Sequence, residues 1–415
     1  MSGVDFLNKL LDGVAVDWRP LGSLAEIYGG LTGKNKADFD GGNAKYVSYK
    51  NIFANINVDL SSLESVKVAP SENQHQVKYG DVLFTGSSEI ADEAGMSSAV
   101  TTHFEESVFL NSFSFGVRFN KGIPISPGFS KYLFRTSFMR TEIAKTASGV
   151  TRFNVSKERF RKILVPVLCP NNPKKSLEIQ AEIVRILDAF TELTTELTTE
   201  LTTRKKQYNH YRDQLLSFKD GAVEWKTLGE LAQYSKTRIS FEKLDETNYV
   251  GVDNLLQNRA GKSPSSYVPT SGNLTEYRKN DILIGNIRPY LKKIWQSDCV
   301  GGTNGDVLVL RCTDGSINPR YLYQVLADDK FFDYNMQHAK GAKMPRGSKE
   351  EILMYRIPVP ALEEQARIVT ILEKFDTLTN SLTEGLPREI ELRQKQYAHY
   401  RDLLLSFPKQ ESATA

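Results

Sequence analysis

Gln207-Tyr208-Asn209-His210-Tyr211-Arg212-Asp213-Gln214-Leu215-Leu216-Ser217-Phe218 returns near the C-terminus as Gln396-Tyr397-Ala398-His399-Tyr400-Arg401-Asp402-Leu403-Leu404-Leu405-Ser406-Phe407, with ten of the twelve positions identical. A second matched stretch lies upstream of each copy. Glu178-Ile179-Gln180-Ala181-Glu182-Ile183-Val184-Arg185-Ile186-Leu187 mirrors Glu363-Glu364-Gln365-Ala366-Arg367-Ile368-Val369-Thr370-Ile371-Leu372. A repeat this long, about 190 residues apart, predicts a pseudo-twofold chain of two similar halves, and a two-sided molecule suits a two-sided partner.

Both repeated segments read as helices. Ile179, Ile183, Ile186, Phe190, Leu193 and Leu197 recur at spacings of 4, 3, 4, 3 and 4, the period of an amphipathic helix. Asn171-Asn172-Pro173 punctuates its start and Asp220-Gly221 its end, so a central helix is expected over 171–222. The second follows Pro358 and Pro360 and occupies 361–408, with Phe375, Leu378 and Leu382 matching Phe190, Leu193 and Leu197; Gly385 and Pro387 predict a kink or break in it. Two long apolar stripes need cover. They pair with each other as an antiparallel coiled coil, or each packs on its neighbouring domain. Within the first helix, Glu192-Leu193-Thr194-Thr195 is followed by Glu196-Leu197-Thr198-Thr199 and Glu200-Leu201-Thr202-Thr203. If helical, each unit adds roughly 6 Å; threonine is a mediocre helix former, so a flexible linker is the competing reading.

The long segments between the helices repeat more faintly. Trp18 and Trp225 open them, Gly80-Asp81-Val82-Leu83-Phe84 parallels Asn280-Asp281-Ile282-Leu283-Ile284, and Asn111 to Arg118 parallels Asn304 to Arg311. Gly149, Arg152 and Ser156 fall opposite Gly341, Met344 and Ser348, with Arg346 two residues past the Arg152 position. Short β-branched and aromatic runs between turn residues predict strands, with helices near 127–143 and 319–334. The expected class is α+β: one domain over 18–170, the central helix, a second domain over 223–360, then the second helix. Residues 1–17 and a tail over 409–415 flank them.

Charge separates by segment. Residues 18–165 carry 18 basic and 14 acidic side chains and residues 225–357 carry 19 and 15, so each domain is at +4, while the remainder is acidic overall. Residues 131–162 hold nine Lys/Arg against two Glu, an excess suited to phosphate contacts. No run of 18 apolar residues and no export-signal pattern is present, and Cys169, Cys299 and Cys312 have no CxxC spacing, which places the chain in the cytoplasm, without membrane, disulfide framework or zinc. Gly29-Gly30-Leu31-Thr32-Gly33-Lys34-Asn35 falls short of a phosphate loop: Tyr28 stands at the first glycine position and Asn35 at the last. No metal spacing among the five histidines and no catalytic constellation stands up, so chemistry by this chain is not expected.

The paired Glu-Gln-Ala and Gln-Tyr-Tyr-Arg-Asp-Leu-Leu-Ser-Phe blocks, the two Trp-led domain starts and the Leu-Thr repeat resemble the specificity subunits of type I restriction-modification systems, in the branch with a four-residue repeat in the central helix. The resemblance covers nearly the whole chain. It implies two target-recognition domains held apart by two antiparallel helices, each domain reading one half of a bipartite site in double-stranded DNA. It implies a non-catalytic chain that docks two modification subunits, adenine-N6 methyltransferases, and through them the ATP-dependent restriction (translocase) subunits. S-adenosylmethionine, ATP and Mg then belong to those partners, and no cofactor to this chain. It also implies that residues 1–17 complete the C-terminal helical region. A two-domain coiled-coil scaffold for proteins, without DNA specificity, is the alternative.

Polar and basic loop residues are the candidate DNA contacts: Lys34, Lys36, Ser48, Lys50, Ser87, Arg152, Asn154 and Lys157 in the first domain, and Arg238, Asn286, Arg288, Tyr290, Lys292, Lys343, Arg346 and Lys349 in the second. Arginine suits bidentate contact to guanine, asparagine suits adenine, and lysine holds phosphate. Tyr208, Tyr211, Tyr397 and Tyr400 are candidates for docking the modification subunits, with a core role equally open.

Overall fold

The computed structural model describes residues 14–219, 221–381 and 384–408. The expectations for residues 1–13, for Asp220 as a helix stop, for Leu382 in the second stripe and for the tail over 409–415 lie outside the described residues. The long helix runs from Pro173 to Leu215, and two helices, Leu362–Asn380 and Gly385–Leu404, make up the C-terminal repeat. The break falls where Gly385 and Pro387 predicted it; Gly385 takes φ +74, a conformation that disfavours other residues. No helix among the described residues is long and apolar enough to cross a membrane.

The described residues divide into two compact units, 14–194 with 393–408, and 195–392. Each unit contains a part of both repeated helical segments.

In the first unit, Val16–Pro20 pairs antiparallel with Leu164–Leu168, joining the domain's entry and exit. Inside, a four-stranded antiparallel sheet runs in the order Ala25–Gly29, Ser114–Phe119, Val82–Thr85, Ser97–Ala99. A smaller sheet is centred on Ala44–Val47, and Ser87–Ser88 pairs with Phe153–Val155. Central strand Val82–Thr85 is buried throughout, with Phe84 against Phe115, Phe134 and Phe160. The second unit repeats the plan. Glu224–Thr227 pairs with Arg356–Val359, and the sheet order is Ala232–Tyr234, Val307–Cys312, Ile282–Gly285, Ile294–Gln296. Val82 faces Val117 and Ile282 faces Leu310, the register that the faint sequence repeat implies. Each central strand is preceded by a buried aspartate that binds an arginine of the neighbouring strand: Asp81 with Arg118 at 2.7 Å and Asp281 with Arg311 at 2.6 Å. Tyr28 donates to Asp81 at 2.6 Å, and burial, then the Asp81 carboxylate, pushes its phenol far above the ordinary range, so it stays a donor. Its ring lies where a Cβ on Gly116 would sit 2.1 Å away, so that strand position accepts no side chain.

Helix packing combines the two solutions that the stripes allowed. Ile179, Ile183 and Leu187 join the first unit's core with Phe129, Tyr132, Leu404 and Phe407; Leu187, outside the expected stripe, is more deeply buried than Ile186. Ile368, Val369, Leu372 and Tyr208 do the same in the second unit, with Tyr321, Leu322 and Phe331. The helices also touch each other. Phe190 stacks on Tyr400 at 5.3 Å, and Phe375 stacks on Tyr211 at 5.4 Å, the same pair by the sequence repeat. The Glu-Leu-Thr-Thr insert is helical, overturning the flexible-linker reading. Its threonine hydroxyls donate to the carbonyl four residues back, as Thr199 does to Thr195 and Thr203 to Thr199, which spares them any search for other partners.

The repeated glutamines fasten helix to domain. Gln180, fully buried, accepts from Ser126 N–H at 2.8 Å and donates to Pro124 O and Ser176 Oγ. Gln365, equally buried, accepts from Asn318 N–H at 2.7 Å and donates to Ser316 O and Pro360 O. Gln180→Ala strands Ser126 N–H, while Ser176 Oγ still reaches Pro124 O, and Gln365→Ala strands Asn318 N–H, Ser316 O and Pro360 O; each variant loses about 1–3 kcal/mol in urea unfolding. No loss in either would show that the clamps carry no stability.

Lys34, the end of the near-phosphate loop, is tied to Glu72 at 2.6 Å, with 6% of its side chain exposed. Lys34, then Ala69 N–H and Gln74, hold the Glu72 carboxyl down to about 2. A depressed carboxyl stabilises the fold above its unfolded pKa of about 4.3. That contribution fades as pH falls from there to about 2. Glu72→Gln therefore flattens the acid limb of thermal stability in this window and leaves the neutral plateau lower; an unchanged limb contradicts it.

Candidate nucleic-acid interface

At the end of the first unit's central strand lies a cleft of about 480 Å³, lined by Tyr49, Phe53, Ser87, Ile90, Phe113 and Arg152. Ser87 sits in the short strand that continues from Val82–Thr85, and its register partner is Asn154. The turn that brings the chain back is built on Gly149, at φ +149, where a Cβ would meet Arg152 O at 1.9 Å. Arg152 Nε donates to Ser87 Oγ at 3.0 Å and its guanidinium lies over the exposed Phe113 ring at 5.7 Å. Among the described residues its two terminal nitrogens have no hydrogen-bond partner, which leaves free the edge that makes bidentate base contacts.

Three first-domain candidates, Ser87, Arg152 and Asn154, are thus brought into contact. Lys157 is exposed, its ammonium 5.9 Å from the Phe115 ring. Lys36 and Lys50 are exposed on short helical turns. Ser48 is buried at the start of the Tyr49–Ala54 helix, and Lys34 is committed to Glu72, so neither offers its polar group freely.

In the second unit the corresponding rim joins Ile287 to Arg346, with Arg288 N–H donating to Pro345 O at 2.7 Å. Arg288 and Lys292 both take left-handed backbone, φ +53 and +51, on either side of the turn that exposes Tyr290. Arg346 is exposed and pairs with Asp306 at 3.0 Å. Lys343 and Lys349 are exposed, as is Arg238, which donates to Thr275 Oγ1 on the paired strand Asn273–Tyr277. Lys292 is paired with Asp329 at 2.7 Å, and Arg259 binds the same carboxylate. Asn286 is buried rather than displayed. Its amide oxygen and the Asn335 amide flank Gly347, where a Cβ would lie 2.7 and 2.2 Å from the two oxygens. The backbone pairing agrees with the sequence repeat: Val155 N–H binds Gly86 O and Gly347 N–H binds Asn286 O, so Arg346 stands where the first unit has Asn154.

Much of the basic stretch over 131–162 is structural. Arg135 donates to Ser97, Ile52 and Asn55 carbonyls, and Arg140 to Gly95, Ala94 and Asp92 carbonyls; burial brings both guanidinium groups down to about 10. These struts hold the loops beside the cleft. Lys131, Lys145 and Arg159 are engaged by Asp188, Glu142 and Ser148. The aromatic lining, Tyr49, Phe53 and Phe113, escaped a sequence reading confined to polar loop residues; an aromatic inside the polar turn Asn111-Ser112-Phe113-Ser114 was the available signal. The tyrosines divide. Tyr208 is core, 3% exposed, and Tyr397 packs against the first unit's core, whereas Tyr211 keeps 44% exposure and Tyr400 is half-buried on Phe190.

The type I restriction modification DNA specificity domain matches residues 15–204 and again residues 222–392. Over 263 residues the chain is 41% identical to the specificity subunit of the type I restriction enzyme EcoR124I/EcoR124II of Escherichia coli, a match covering 60% of this chain and 65% of that protein. Over 405 residues it is 30% identical to the EcoprrI specificity subunit of Escherichia coli, covering 92% and 93%. The crystal structure of the type I restriction-modification S subunit from M. genitalium superimposes with a TM-score of 0.51 at 15% identity, covering 96% of this chain and 98% of that one. A chain from a study of complex assembly and conformational transition of the type I R-M system gives 0.63, also at 15% identity, covering 94% and 97%. These two likenesses speak for the fold. With a domain model matched once over each half and a relative matched along nearly its full length, the chain belongs to the type I restriction-modification DNA specificity family.

Proposed function

We propose that this chain is the non-catalytic subunit that gives a type I restriction-modification enzyme its DNA sequence specificity. Each unit reads one half of a bipartite duplex site, and the unread base pairs lie between. The observation that carries this is the doubled rim: in each unit an exposed arginine, Arg152 or Arg346, is held on a turn at the end of a buried central strand. Adenine-N6 methyl transfer and ATP-dependent restriction belong to partner subunits, two of them modification subunits docked on the helices, with S-adenosylmethionine, ATP and Mg on those partners. The setting is the cytoplasm.

Arginine at a base edge and lysine at a phosphate separate by experiment. In the assembled complex, Arg152→Ala relaxes discrimination at one base pair of one half-site by about 1–3 kcal/mol. Lys157→Ala weakens binding evenly across sequences and lowers the slope of log affinity against log salt by roughly 1. Salt-independent, sequence-blind binding would favour the protein scaffold instead.

The helical insert makes the spacing testable. Removing Glu196-Leu197-Thr198-Thr199 shortens the helix by roughly 6 Å, close to two base-pair steps of about 3.4 Å. Mapping methylated adenines in cells carrying this deletion then shows the same two half-sites with a shorter gap. An unaltered gap overturns the ruler.

A further inference from the structure

One turn has the same backbone in both units and opposite side-chain chemistry. Asn111 Oδ1 accepts from Phe113 N–H at 3.0 Å, and Asn304 Oδ1 accepts from Asp306 N–H at 3.1 Å. Phe113 O accepts from Gly86 N–H and Asp306 O accepts from Asn286 N–H, each at 2.8 Å. Phe113 and Asp306 are therefore the same position on two frames, and each touches the rim arginine of its unit: Phe113 under Arg152 at 5.7 Å, Asp306 against Arg346 at 3.0 Å.

Resting on the reading above, we propose that this turn position determines base specificity in each unit. Phe113 makes the apolar contact to a thymine methyl beside the base read by Arg152. Asp306 sets Arg346 in a fixed donor–acceptor pair that takes a donor and an acceptor from the major-groove edge. Three observations support a base edge over a phosphate. Phe113 is 63% exposed at the mouth of the cleft, where its ring offers phosphate nothing, whereas the thymine methyl is the apolar feature of the major groove. Glu89 and Glu93 line the same cleft and repel a phosphate backbone, yet a carboxylate accepts from the amino groups of cytosine or adenine. Asp306 would likewise be repelled alone, but paired with Arg346 at 3.0 Å it presents no net charge, and the contact keeps the guanidinium beside the carboxylate. The frame beneath is shared while the reading group differs, which is how two units of one plan come to prefer different half-sites.

The test is methylated-adenine mapping with the assembled complex carrying Phe113→Ala or Asp306→Asn. Phe113→Ala is expected to reduce discrimination on the order of tenfold at one base pair of one half-site. Asp306→Asn does the same at one base pair of the other, and in both cases the gap and the untouched half-site are unchanged. Asp306→Glu, which keeps the carboxylate, restores part of the preference. Melting temperatures equal to the parent's accompany this result, since neither side chain is in a core. A bipartite preference that survives both substitutions unaltered, or an even loss across all sequences, overturns this inference alone. An unaltered complex without any bipartite preference overturns the parent reading and this one with it.

Discussion

The stacking of a phenylalanine from one repeated helix on a tyrosine from the other, made once in each unit, is the contact on which the rest depends. Phe190 on Tyr400 and Phe375 on Tyr211 are one interaction used twice, and the sequence repeat exists because both copies must make it. Around it, Ile179, Ile183 and Leu187, or Ile368, Val369 and Leu372, bury their side chains against the adjoining domain. Each such burial is worth roughly 2 kcal/mol. Gln180 and Gln365 then fix the register by satisfying loop backbone that the helix would otherwise cover and strand. In each unit, helix residues and the adjoining domain thus share one buried cluster.

That constraint explains the uneven divergence of the two halves. The Asp81–Arg118 and Asp281–Arg311 pairs and the β register rest on aspartates buried at the start of each central strand, where an unpaired charge or a slipped strand is costly. They are the same in both units. The rim has no such obligation. Ser87 with Arg152 and Phe113 in one unit, and Ile287 with Arg346 and Asp306 in the other, occupy turns whose backbone is set from below. Side chains there are free to answer to a ligand rather than to the core.

What was legible in the sequence follows the same division. The helices, their break at Gly385 and the paired strands could be read because periodicity and self-similarity report directly on burial. Arg152 and Arg346 could be picked because each lies near Gly or Pro in a polar turn, and both are exposed. The polarity of Lys34, Ser48 and Asn286 says nothing of the partners that occupy or cover them, Glu72 for the lysine and Gly347 and Asn335 around the asparagine. The basic run over 131–162 misled similarly, because Arg135 and Arg140 spend their charge on backbone carbonyls that only the fold brings near. Phe113 was passed over since an aromatic residue is expected inside; its place in a polar turn was the hint, and the structure shows it exposed.

The most direct test of two readers on a common helical frame is to locate every methylated adenine in DNA from cells that carry the complete, unaltered system. Two short conserved blocks separated by a fixed number of unspecified base pairs is the predicted result. A single uninterrupted motif, or methylation indifferent to sequence, would contradict it.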